Sequence, residues 1–142
     1  MNAPLSPELL RQVDLYVDNR HTRFEELGTS YFQQFGGAGK NVSSQVRNLQ
    51  QLVCSATRLS DVEDFVKNQM GRKSGTSKPW REVGEETLKQ LHDLREKAKE
   101  LAKSKGPEVA LQLRMQLARG WVRAVVSHYL YEKALAEMKE KE

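Results

Sequence analysis

The sequence predicts an all-α fold: a single-domain bundle of about five helices ending in a long C-terminal helix. Three observations carry that prediction. Apolar residues recur every three or four positions over most of the chain, strand-like alternation is absent, and glycine or proline stops separate the periodic segments. At 142 residues the chain is long enough for one sizeable core, so 1–142 is read as one helical domain.

The first helix is expected over roughly 7–35. Ser6 is a natural cap, Pro7 suits the first turn, and Leu10, Val13, Val17, Phe24, Leu27 and Tyr31 follow at helical spacing. Arg20 and His21 interrupt the stripe, and Gly28 reads as a local irregularity. The glycines of FGGAGKN end the segment. Asn41 or Ser43 then caps a second helix with Val46, Leu49, Leu52, Val53 and Ala56 on its apolar side. Ser60-Asp61-Val62-Glu63 has the form of a capping box and predicts the start of a third helix, which Gly71 ends. Residues 72–79, RKSGTSKP, read as a mobile basic loop with nothing apolar to bury. Trp80 restarts order in a fourth helix that stops at Gly106. Pro107 opens the last helix, which runs to about 139 and is apolar on more than one face, as a central helix is.

Composition and motifs narrow the function. GGAGKN invites comparison with a phosphate-binding P-loop, G-x-x-x-x-G-K-[ST]. Gln34 stands where the first glycine is needed, however, and Asn41 where the metal-binding hydroxyl is needed. No ATP or GTP site is expected there. His21, His92 and His128 are far apart in sequence and read as having no second histidine, cysteine or carboxylate at a ligand-like spacing, so no metal site is expected, and no cofactor. Cys54, within the apolar stripe of the second helix, reads as a buried structural thiol. The acidic residues sit mostly one helical turn from a Lys or Arg, as on solvated faces. No catalytic set assembles, and the chain is not expected to be an enzyme. No apolar run approaches the ~20 residues that span a bilayer, and MNAPLSPELL lacks the features of a secretion signal. With one cysteine, the chain is expected to be cytoplasmic.

The net charge of +4 is unevenly spread. Residues 1–39 carry a net −2, residues 40–81 a net +5, and residues 82–142 a net +1. A basic middle favours a polyanion partner or, equally, is a solvated basic face. Arg47 belongs to the first turns of the second helix, near its free amides and positive dipole end. Lys67, Arg72 and Lys73 lie at the far end of the third. An antiparallel hairpin places Arg47 near Arg72, and Lys78 and Arg81 extend the patch. Such a patch suits a sugar–phosphate backbone and has no device for reading bases. Trp80, Trp121, Tyr129 and Tyr131 are candidate base-stacking residues, with Trp80 the foremost, although a tryptophan at helical spacing more often belongs to the core. Arg114, Arg119 and Arg123, on the otherwise apolar last helix, either snorkel to the surface or meet acids of a neighbouring subunit.

Ser44-Gln45-Val46-Arg47 opening one helix and Gln69-Met70-Gly71-Arg72 closing the next resemble the small helical subunit of type III CRISPR effector complexes. The resemblance covers roughly residues 40–73, together with the all-α plan and the length. It implies a noncatalytic subunit that stacks along a ribonucleoprotein filament. Such a subunit touches guide RNA, target RNA, other effector subunits and copies of itself. It also implies that Arg47 and Arg72 face phosphate, with Gln45 in support. The alternative is a helical protein–protein adaptor whose basic middle docks an acidic partner.

Overall fold

The computed structural model describes residues 4–36, 44–73 and 77–141. Among them the ordered elements are all helical: α1 (Pro7–Asn19), α2 (His21–Tyr31) continuing as a π-helical turn (Phe32–Gly36), α3 (Ser44–Ser55), α4 (Leu59–Gly71), α5 (Ser77–Leu101) and α6 (Pro107–Glu140). None of these helices is long and apolar enough to cross a membrane.

α6 is the central element and packs against α1, α2, α3 and α5. Its buried residues include Leu113, Leu117, Trp121, Val125 and also Met115, Val122 and Val126, more than one face of the helix. Fully burying one large apolar side chain contributes about 1.5–3 kcal/mol, so this helix supplies much of the core. α4 instead packs chiefly on α5.

Several helix ends follow the local sequence. The Ser6 Oγ accepts the Leu9 N–H at 3.2 Å, and Pro7 occupies the first helical turn. α4 stops at Gly71. Gly106 has φ of +99°, a conformation that a side chain disfavours, and Pro107 follows as the first residue of α6.

Other expectations are corrected. The long first helix is broken at Arg20, whose φ and ψ of −101° and 7° leave the helical region. Continuing the stripe of Val13 and Val17 toward Phe24 would drive Arg20 or His21 into the core. The break leaves both exposed, with the Arg20 guanidinium 5.2 Å from the centre of the Tyr16 ring. Gly28 is no irregularity: it is a buried point of close approach within α2. The capping box does not form. α4 begins two residues earlier, with Arg58 in the cap position and Leu59, which is buried, as its first residue, and Arg58 pairs with Asp61 across the first turn. Residues 77–79, expected in a mobile loop, form the first turn of α5, where Ser77 is buried. Asn41 and Ser43, the expected caps of the second helix, lie outside the described residues. Cys54 is exposed. Val53 holds the buried position after Leu49, and one further residue rotates about a quarter-turn toward solvent.

Candidate nucleic-acid interface

The basic middle of the chain is organised by the first turn of α5. Trp80 is fully buried, with its ring centre 5.1 Å from Phe35, 5.7 Å from Phe65 and 6.1 Å from Tyr31. Its indole N–H donates to Gln45 Oε1 at 3.1 Å, which fixes the start of α3 against α5. One residue on, the Arg81 Nε donates to the Met70 carbonyl at 3.0 Å and its Nη2 to the Arg72 carbonyl at 3.3 Å. These carbonyls close α4 and would otherwise lack intrahelical partners. The start of α5 therefore ties the start of α3 to the end of α4.

That framework leaves the cations outward. In α3, Val46, Leu49 and Val53 form the buried face and Arg47 is exposed. In α4, Val62, Val66 and Gln69 are buried and Lys67 is exposed. Arg72, Lys73, Lys78 and Arg81 are exposed as well. Among the described residues, none of these six makes an ion pair. Four other arginines are matched, Arg11 with Glu8, Arg23 with Glu86 and Asp93, Arg58 with Asp61, and Arg95 with Glu63, whereas Arg20, Arg114, Arg119 and Arg123 make no ion pair among the described residues. Two of the three acids in residues 40–81, Asp61 and Glu63, are thus already engaged by Arg58 and Arg95. The six cations remain uncompensated.

A groove of about 280 Å³ runs between the first turns of α3 and the C-terminal half of α6. Ser44, Arg47 and Gln50 line one side, and Val126, Leu130 and Lys133 the other. Lys133 is the cation that the sequence conceals. Its neighbours Glu132 and Glu137 mask it in the local charge count, and only the packing of α3 on α6 brings it to the groove that Arg47 lines.

The aromatic candidates sort by burial. Trp80 and Trp121 are fully buried and Tyr129 nearly so, which excludes base stacking by these three in this conformation; Tyr131 is exposed. Gln45 serves the core through Trp80 in addition to any outward role. Arg119 reaches the Ala56 carbonyl at 3.4 Å, and Arg123 is exposed. Lys40 and Asn41 lie outside the described residues. The residues before the glycines are helical, where a P-loop would follow a strand.

The histidines are less isolated than their sequence separation suggests. Each is followed four residues later by a glutamate, the spacing of neighbours on one helix face. His21 Nδ1 lies 3.0 Å from Glu25, and His128 Nδ1 lies 3.2 Å from the other oxygen of the same carboxylate. His128 Nε2 faces Thr29 at 3.0 Å and Glu132 at 3.3 Å. This set cross-links α2 to α6. Among the described residues, no group of three or more His, Cys, Asp or Glu side chains is placed to hold a metal ion.

No protein-family model, no curated protein and no solved structure matches this chain.

Proposed function

We propose that the chain is a noncatalytic RNA-binding subunit of a cytoplasmic ribonucleoprotein assembly. It acts as a single helical domain like the small helical subunit of type III CRISPR effector complexes, which it resembles. It meets the sugar–phosphate backbone of guide and target RNA through Arg47, Lys67, Arg72, Lys73, Lys78 and Arg81, with Lys133 beside Arg47 and with Gln45 in support. It packs against other subunits, including copies of itself.

The observation that carries this reading is the set of six exposed, unpaired cations on segments joined by the first turn of α5. Unpaired cations keep their full attraction for phosphate, and the side chains present are suited to backbone contact without base readout. The same patch gives the second reading its support, an adaptor that docks an acidic protein.

Arg47→Glu combined with Arg72→Glu separates folding from binding. Exposed charges contribute about 0–1 kcal/mol each to stability, so the melting temperature is expected to stay close to that of the parent. Fluorescence anisotropy with a labelled single-stranded RNA is expected to show greatly weakened binding, and incorporation into the complex is expected to fall with it. Undiminished RNA binding by the double variant would refute the reading. An acidic protein competing where RNA does not bind would favour the adaptor.

A further inference from the structure

A second groove, of about 730 Å³, lies between α1 and α6, away from the basic middle. Its floor is formed where Val17 meets Gly120. A methyl group on Gly120 would lie 2.9 Å from Val17 Cγ2, so the two helices are in close contact there. Above the floor the walls carry opposite charges. Asp14 and Asp18 stand one turn apart on α1, and Arg119 and Arg123 stand one turn apart on α6.

Like charges one turn apart disfavour a helix, and here they occur twice on facing helices. The simplest relief would be ion pairs across the groove. None is made among the described residues, although Arg11 and His21 at the groove's edge are already paired with Glu8 and Glu25. Leu15 lines the same groove and is 47% exposed. The groove therefore presents an acidic wall, a basic wall and apolar surface between them, with both pairs repeating at a rise of about 6 Å.

We propose that this groove docks an α-helical segment of a protein partner. The segment carries an apolar stripe between one acidic and one basic edge. The acidic edge faces Arg119 and Arg123, and the basic edge faces Asp14 and Asp18. An i, i+4 charge pair on each edge of a partner helix has the same repeat as the two walls. A nucleic acid is disfavoured because Asp14 and Asp18 repel phosphate. This inference concerns a different face from the RNA patch and does not depend on the RNA reading.

The probe is a displayed library of helical peptides of about 18 residues, with a leucine stripe and edge positions that are each Glu or Lys, selected on the full chain. The expected winners carry Glu along one edge and Lys along the other. Arg119→Glu with Arg123→Glu should weaken a winning peptide at least about tenfold, because facing like charges are strongly unfavourable. Asp14→Lys with Asp18→Lys should do the same, and combining all four changes should restore binding to a peptide with its edges exchanged. Leu15→Glu provides a variant at an exposed position that needs no arginine to be altered. It should weaken every winner. Failure to enrich any edge pattern, equal binding to the charge-reversed proteins, or displacement of the peptide by a single-stranded RNA would each overturn the proposal.

Discussion

Gly28 and Val125 mark a contact in which helix α2 meets the backbone of α6. A methyl group on Gly28 would sit 2.6 Å from the Val125 carbonyl oxygen, 3.0 Å from His128 Cβ and 3.2 Å from the Tyr129 nitrogen. Two of those atoms are backbone and cannot swing aside, so the helices must separate to accept any side chain. Gly28→Ala is expected to destabilise the protein by about 1–3 kcal/mol, the range for overpacking a core. The melting temperature should fall by roughly 3–10 °C. Gly71→Ala is the matched control, because a methyl group there meets nothing within 4 Å. It should melt at or above the parent temperature. Equal melting of the two variants would show that the close approach is absent.

Trp121 depends on a polar partner inside the core. Its indole N–H donates to Gln90 Oε1 at 2.9 Å, and Gln90 Nε2 donates to Glu86 at 3.0 Å. Glu86 in turn accepts from Arg23 at 3.2 Å. Gln90→Leu keeps most of the volume and leaves the indole N–H without its acceptor. A buried group so orphaned costs about 1–3 kcal/mol. Trp121→Phe combined with Gln90→Leu should lose less than the sum of the single changes, because no donor is then stranded. Denaturant titrations of the four proteins test this, and strict additivity would contradict it.

Tyr31 gives the fold an alkaline limit. Its phenol is fully buried, and burial pushes its pKa well above the ordinary value. The Thr87 hydroxyl donates to the Val83 carbonyl at 2.8 Å, so the Tyr31 O–H is the donor in the 2.8 Å contact between the two hydroxyls. Ionising Tyr31 would remove that donor and place a charge in the core. The folded pKa exceeds the unfolded one, so this contribution is fully present below about pH 10 and is lost as pH rises from there through the folded pKa. Within that window the slope is roughly 1.4 kcal/mol per pH unit for one proton. Tyr16, pushed the same way by partial burial, adds to the alkaline loss. The difference between parent and Tyr31→Phe isolates the Tyr31 share: the variant should lose less stability between pH 9 and 11. Parallel curves would exclude Tyr31 as the source.

What the sequence made legible were the signals written within a few residues. Ser6 and Pro7, Gly71, and Pro107 after Gly106 each act on the backbone next to them, and the structure places a helix boundary at each, although α5, expected to run on to Gly106, already ends at Leu101. Signals that depend on packing were misread. Ser60 and Glu63 have capping-box spacing, but burying Leu59 and pairing Arg58 with Asp61 move the helix start forward. Trp80 beside Arg81 admits both a core and a stacking reading from sequence, and Phe35, Phe65 and Tyr31 closing around it decide for the core. The candidate patch shows the same division. Its cations are visible as a charge imbalance, whereas the role of Gln45 as acceptor for Trp80 and the place of Lys133 beside Arg47 arise only from tertiary contacts.

The exposed cations divide into those that hold the fold and those left for a ligand, and single substitutions should tell them apart. Arg81 donates to the Met70 carbonyl in the last turn of α4 and to the carbonyl of its C-cap residue Arg72, so Arg81→Ala removes two hydrogen bonds as well as a charge. At an exposed site the loss should be about 1 kcal/mol, seen as faster amide exchange at the end of α4 and a lower melting temperature. Lys67 and Lys73 have no ion pair or hydrogen bond among the described residues, so Lys67→Ala and Lys73→Ala should melt with the parent. If they neutralise phosphates, each change releases one fewer condensed cation on binding. The slope of log K against log salt should then shrink by about 0.7 per residue on single-stranded RNA. Arg81→Ala should lower both quantities, and the two lysine variants only the salt slope. Lysine variants that leave the slope unchanged would mark the basic middle as a solvated face, whatever Arg81 does for α4.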